Sequence, residues 1–196
     1  MTGIVLPEGV TSIGNGAFSC CRALANVVIP ESVTSIESSA FQGCHALTSV
    51  VIPEGVTSIG RNAFWNCSSL ASVTLPSTLE TLGESVFAGC NSLTSLEDKS
   101  GKFLKTVDGI VYSVDGTQMI AVLASVSGEV RIAKGVTEIP NSLFENNNRI
   151  TGVVIPEGVT SIGYSAFRGC KNLTSIVLPK GVTSIGDYAF TYCSSL

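Results

Sequence analysis

The chain has 196 residues, 44% of them hydrophobic and only 13% charged, with a formal net charge of −4. That charged fraction is about half the ~25% usual in globular domains, so Ser, Thr, Asn and Gly must fill the outward positions. Eleven basic residues against fifteen acidic ones leave no footprint for nucleic acid or for an anionic membrane surface. No apolar run reaches the ~18 residues of a membrane-inserted helix, and residues 1–10 lack the basic and apolar regions of a secretory signal.

From the start of the chain the sequence repeats. Pro7, Pro30, Pro53 and Pro76 fall 23 residues apart, as do Pro156 and Pro179 later. Phe18, Phe41, Phe64 and Phe87 keep the same step, and Phe144, Phe167 and Phe190 resume it. Seven of eight phenylalanines in one phase define a solenoid repeat, and residues 1–98 are its first block. Within one coil, Leu24, Val27 and Ile29 make a leucine-rich-repeat strand that Pro30 ends, because proline has no N–H for a ladder. Pro53-Glu54-Gly55 reads as a tight turn, and Val33 and Ile36 point inward. Ala40, Phe41 and Cys44, at i, i+1 and i+4, predict a short helical turn. Gly43, Asn66, Gly89, Asn146 and Gly169 precede the cysteine position and suit a left-handed residue there. Cys20 and Tyr192 occupy the same column and depart from that rule. Stacking coils about 4.8 Å apart would set each residue over its equivalent, which buries faces that no single coil can bury alone.

Residues 99–131 leave the pattern. Two strand-like runs, Val107 to Ser113 and Gln118 to Leu123, flank Val114-Asp115-Gly116, which predicts an inserted β-hairpin projecting from the solenoid or lying along it. It is either part of a binding face or a spacer within one coil. The repeat returns at Val130-Arg131-Ile132-Ala133, with Ala133 in place of the proline, and residues 132–196 form the second block. The chain starts within a strand and stops at Leu196 without polar capping coils, which reads as a fragment or as uncapped ends open to end-to-end or edge self-association. The fold expected is an α/β-type right-handed leucine-rich-repeat solenoid with short parallel strands, short helical turns and one inserted hairpin.

Residues that carry chemistry read as structural. Cys21, Cys44, Cys67, Cys90, Cys170 and Cys193 share one column, and parallel Cβ vectors at ladder spacing suit reduced, buried thiols better than disulfides. No C-x-x-C or calcium-loop pattern occurs, so no metal site or cofactor is expected. His45 reads as a solvated surface residue beside Cys44, and no paired carboxylates or nucleophile motif mark an enzyme.

Two surfaces could hold a partner. The outward strand row carries Val28, Val51, Val154 and Val177, together with Val5, Thr74 and Arg131, beside Ser49, Ser72 and Ser175. An exposed valine row marks either an interaction site or ordinary β-propensity. The other surface groups Tyr164, Tyr188, Tyr192 and Arg168 in the last coils, with Trp65 apart in an earlier one. Tyr and Arg are favoured interface anchors, although amphipathic residues also decorate ordinary turns.

The motif V-I-P-E-G-V-T-S-I-G…A-F…G-C…L resembles the BspA-type leucine-rich repeats over nearly the whole chain outside the insertion. The resemblance implies a surface or secreted protein of an anaerobic bacterium or mucosal protist, adhering to extracellular or host proteins and glycoproteins. A stalk that presents another domain is the alternative. Ice binding through the Thr11, Thr34, Thr57, Thr160 and Thr183 column is a third reading, set against by the lack of T-x-T spacing.

Overall fold

The computed structural model describes residues 2–196, and every regular element among them is a β-strand. No helix there is long and apolar enough to cross a membrane. The chain divides into two compact units, Met1–Leu104 and Lys105–Leu196.

In the first unit Gly3–Val5, Asn26–Val28, Ser49–Val51, Ser72–Leu75 and Ser95–Asp98 form one parallel sheet in chain order. Pairing sets Ile4 beside Val27, Val50 beside Val73, and Val73 beside Leu96, so each repeat lies on its equivalent. The two-residue strands Ser12–Ile13, Ser35–Ile36, Ser58–Ile59 and Thr81–Leu82 form a second parallel ladder. Between the ladders the inward side chains stack by type. Val33 over Val56, Ile36 over Ile59 and Leu47 over Leu70 are all buried. The Phe18, Phe41, Phe64 and Phe87 rings follow one another at 5.2, 5.3 and 5.7 Å, with planes within 9°. Fully burying each ring contributes about 1.5–3 kcal/mol, and close stacking of identical side chains allows only one register.

The expected α/β character is corrected: the segments thought to be helical turns contain no helix. Their amides alternate between two destinations. Gln42 and Cys44 donate within the coil, to Ser39 and Phe41, whereas Ser39, Phe41 and Gly43 donate to Arg61, Ala63 and Trp65 of the next coil. Ser39 and Gly43 both hold positive φ, 58° and 68°, which breaks any helix after one turn. The i, i+1, i+4 spacing that suggests a helix arises instead from two left-handed residues four apart. The same conformation holds at Cys20 and Tyr192, φ 59° and 62°, so the two departures from the Gly/Asn rule do not change the backbone.

All seven cysteines are free. The Cys44, Cys67 and Cys90 thiols donate to the carbonyls of Phe18, Phe41 and Phe64 in the preceding coil, at 3.1, 3.1 and 3.2 Å. Cys20 is exposed, and Cys21 is exposed too, against the expectation of a buried thiol, whereas Cys44, Cys67, Cys90 and Cys170 are buried. In the threonine column Thr34 Oγ1 donates to Thr11 O and Thr57 Oγ1 to Thr34 O. These hydroxyls bond along the coil stack.

The second unit repeats the plan. Gly128–Arg131, Ile150–Val154 and Ser175–Val177 form one parallel sheet, and Glu138–Ile139, Ser161–Ile162 and Ser184–Ile185 the other. Phe144, Phe167 and Phe190 stack at 5.1 and 5.4 Å. The insertion is a three-stranded sheet of Leu104–Val107, Ile110–Ser113 and Met119–Val122. The expected hairpin is present, with Asp115 accepting from the Ser113 hydroxyl at 2.5 Å and the Thr117 amide at 3.0 Å. The run Val107 to Ser113 is not one strand, however. Asp108 and Gly109, φ 50° and 77°, make a two-residue turn inside it, and positive φ at both centres is what a type I′ turn requires. Ile110, Val111, Tyr112, Met119, Ile120, Ala121 and Val122 are all buried, so these two strands are covered on both faces, whereas Lys105, Thr106 and Val107 of the third strand are exposed. The Ala133 amide donates to Tyr112 Oη at 3.1 Å. Six coils have proline at this position, whereas Ala133, like Lys99 at the start of the insertion, keeps an N–H to offer.

Candidate partner-binding surfaces

Strand alternation turns Val27, Val50 and Val153 into the core and their neighbours outward. Val5 lies beside Val28, and Val51 beside Thr74, in the first unit. Arg131, Val154 and Val177 line up in the second. Val28, Val51, Val154 and Val177 are all exposed, Val51 to 80%. The row is divided, three valines in one unit and two in the other.

The second surface is built by turn segments of neighbouring coils in the second unit. The Tyr164 and Tyr188 rings meet edge to face, with centroids 5.7 Å apart and planes at 87°. The Arg168 guanidinium carbon lies 5.5 Å from the centre of the Tyr192 ring. Arg168 Nη1 also donates to Glu145 Oε1 at 2.7 Å. Glu145 is the residue equivalent to Arg168 one coil earlier, and it is buried. That hydrogen bond holds the Arg168 pKa above its ordinary value. The cation is thus pinned between a buried carboxylate and an aromatic face, while the Tyr164, Tyr188 and Tyr192 rings remain 45%, 58% and 68% exposed.

The structure brings Tyr164, Arg168, Tyr188 and Tyr192 together as expected from their spacing. Trp65 belongs to the other unit, where it is half-buried in the column equivalent to Glu145 and Arg168. Sequence reasoning missed Glu145 as the anchor. It also missed that Tyr188 has φ 60°, whereas Tyr192, φ 62°, sits in the column already read as left-handed. The Tyr188 column reads Gly16, Ser39, Asn62, Ser85, Ser142 and Ser165 in the other coils, small or turn-favouring residues that carried the signal. A bulky residue with positive φ is an outlier that its surroundings must sustain.

Among the described residues no group of three or more His, Cys, Asp or Glu is placed to hold a metal ion. His45 is half-buried rather than solvated, and its Nδ1 lies 3.1 Å from the Asn66 carbonyl of the next coil.

In-register coils with a hydrogen-bonded cysteine ladder and a variable outer surface define a repeat solenoid of the leucine-rich class. The chain belongs to the BspA type leucine rich repeat family, whose profile matches six copies over residues 1–107 and 126–196. Among solved structures it is similar to a leucine-rich repeat protein from Eubacterium ventriosum, at 25% identity and TM-score 0.77 over all of this chain and 59% of that one. It is also similar to a leucine rich cell surface protein from Faecalibacterium prausnitzii, at 26% identity and TM-score 0.55 over 100% of this chain and 58% of that one. The pneumococcal vaccine antigen PcpA shares the fold, at 23% identity and TM-score 0.66 over 92% of this chain and 51% of that one. The chain therefore spans less than two thirds of each of these proteins. No curated protein matches it significantly.

Proposed function

We propose that the chain is a non-catalytic binding segment of a cell-surface or secreted protein, and that it holds protein or glycoprotein partners through Tyr164, Arg168, Tyr188 and Tyr192. The observation that carries this reading is the pair of tyrosines at left-handed positions. Stability alone favours Gly, Asn or Ser there, and the other coils mostly use them. Two independent departures fall on aromatic residues of one exposed cluster, beside a cation already oriented by Glu145. Preorganised Tyr and Arg side chains lose little entropy on docking, as interface anchors must. Similarity to a leucine rich cell surface protein supports an extracellular setting.

The test is surface binding to a panel of matrix glycoproteins and mucins, with Tyr188→Asn/Tyr192→Asn and Tyr164→Ala beside the parent chain. Saturable binding by the parent, reduced at least about tenfold in the double variant, is expected. A folded parent that binds no panel member, or binding untouched in all variants, would replace this reading with that of an architectural stalk.

A further inference from the structure

A second feature of the Lys105–Leu196 unit uses none of the tyrosine cluster. A cleft of about 290 Å³ lies between the Asp108-Gly109 turn and the segment Ser125–Arg131. Both walls are tethered. The Leu123 amide donates to Gly109 O at 2.9 Å, and the Gly128 amide to Arg149 O at 2.9 Å. Gly109 presses so closely on the segment that a Cβ there would lie 2.6 Å from Val126 Cγ2. The positive φ of Asp108 and Gly109 therefore does more than turn the chain. It brings Asp108 to the lining of the cleft in a fixed backbone frame.

The lining has a definite chemistry. Val126 and Val130 are buried and give an aliphatic floor. The lining also holds Asp108, Ser125, Ser127 and the Glu129–Arg131 pair joined at 2.6 Å. No ion pair or side-chain hydrogen bond engages the Asp108 carboxylate among the described residues. The walls thus offer an acceptor-only carboxylate, two hydroxyls that donate and accept, and a guanidinium that only donates. A lysine side chain from a partner would use the acceptors but face the Arg131 cation. An acidic group would face Asp108 and Glu129. A ligand whose every polar group both donates and accepts, on a ring with an apolar face, meets all of these walls and the floor. The volume lies at the small end of ligand sites, ~300–1,000 Å³, which suits one ring rather than an extended chain.

We infer that this cleft is a subsite for a single sugar ring, such as the terminal unit of a glycan, with Asp108 accepting from ring hydroxyls and Ser127 and Arg131 completing the contacts. The inference goes beyond the tyrosine surface, and the two can fail separately.

Saturation-transfer NMR with a panel of methyl glycosides (glucose, galactose, mannose, fucose and N-acetylglucosamine) tests it on the whole chain, with N-acetyl-lysine methylamide as the cationic control. Transfer to at least one glycoside and not to the lysine derivative is expected. Asp108→Asn keeps the shape and tolerates the positive φ, so it preserves the fold while weakening the bound glycoside about tenfold. Ser127→Trp fills the cleft and abolishes transfer, whereas Tyr188→Asn/Tyr192→Asn leaves it intact. Transfer to no glycoside, transfer to the lysine derivative alone, or equal transfer in parent, Asp108→Asn and Ser127→Trp overturns the assignment.

Discussion

Positive φ recurs at two places in the coils of both units, and most occupants are Gly, Ser or Asn. Tyr188 and Tyr192 are the large exceptions, and their energetics can be weighed. A left-handed backbone costs an L-residue about 1–2 kcal/mol, and Asn suffers less of that cost. The edge-to-face contact of Tyr188 with Tyr164 returns roughly 0.5–1.5 kcal/mol. The two effects nearly cancel. Tyr188→Asn should therefore leave stability within about 1 kcal/mol of the parent in urea titration, while partner binding falls. A loss well above that would mean that the tyrosine is there for stability. The cysteines give a second residue-scale test. Burial, the largest cause, pushes the Cys44 thiol up to about 11 and those of Cys90 and Cys170 to about 12. At pH 8 they hold almost no thiolate, and thiolate is the reactive form. A maleimide probe on the native chain should label the exposed Cys20 and Cys21 first, and Cys44, Cys67, Cys90 and Cys170 only after unfolding. Rapid labelling of Cys67 or Cys90 would show that the coils open on that time scale. The inward thiols were legible in sequence because a 23-residue register repeats them. The tyrosine cluster was legible as a spacing, but its strain was not, since one coil alone does not betray φ.

Between coils, single contacts carry information of their own. Glu54 Oε1 accepts from Lys99 Nζ at 2.8 Å, and Oε2 from the Ser77 amide and hydroxyl, each at 2.8 Å. The Lys99 bond, then those of Ser77, draw the Glu54 pKa from its ordinary 4.5 to about 2. A lowered carboxylate pKa means that the contribution is complete above pH 4.5 and lost as pH falls through about 2. Carboxyl-detected NMR should find the Glu54 midpoint far below 4.5 in the parent and higher in Lys99→Met. A parent midpoint at the ordinary value would dismiss the linkage. The insertion has its own contact. Tyr112→Phe leaves the Ala133 amide without its acceptor, which costs about 1–3 kcal/mol. Ala133→Pro should cost far less in the Tyr112→Phe background than in the parent, and a double-mutant cycle measures that difference. Additive effects would mean the bond contributes nothing. The hairpin was readable from Asp115-Gly116, whereas Asp108-Gly109, the same dipeptide, fell inside an apolar run read as strand-like, although Asp108 itself reads as a loop or turn residue. The helical turns were misread for a related reason: periodic apolar spacing reports which side chains point inward, not which hydrogen bonds hold them there.

At the scale of the whole molecule, charge is scarce. Four ion pairs, Arg61–Glu84, Lys99–Glu54, Arg131–Glu129 and Arg168–Glu145, are found among the described residues. With 13% charged residues and a net −4, no single-sign field can steer a partner over distance. Binding through rings and hydroxyls should change less than about threefold between 50 mM and 500 mM salt, well beyond the range in which exposed charges are screened. A steep salt dependence in the same surface assay would point to a charged contact instead. Stability in each unit follows the logic of stacked coils, a sum of terms between nearest neighbours, so a local change stays local. This gives the Tyr112–Ala133 bond a wider meaning. A coil accepts foreign chain when one proline is exchanged for a residue that still has its amide hydrogen, because that hydrogen supplies an address for the newcomer. Grafting an unrelated hairpin onto such a scaffold would then call for two edits, the insert and the loss of that proline, with an aromatic hydroxyl in the insert to read the address.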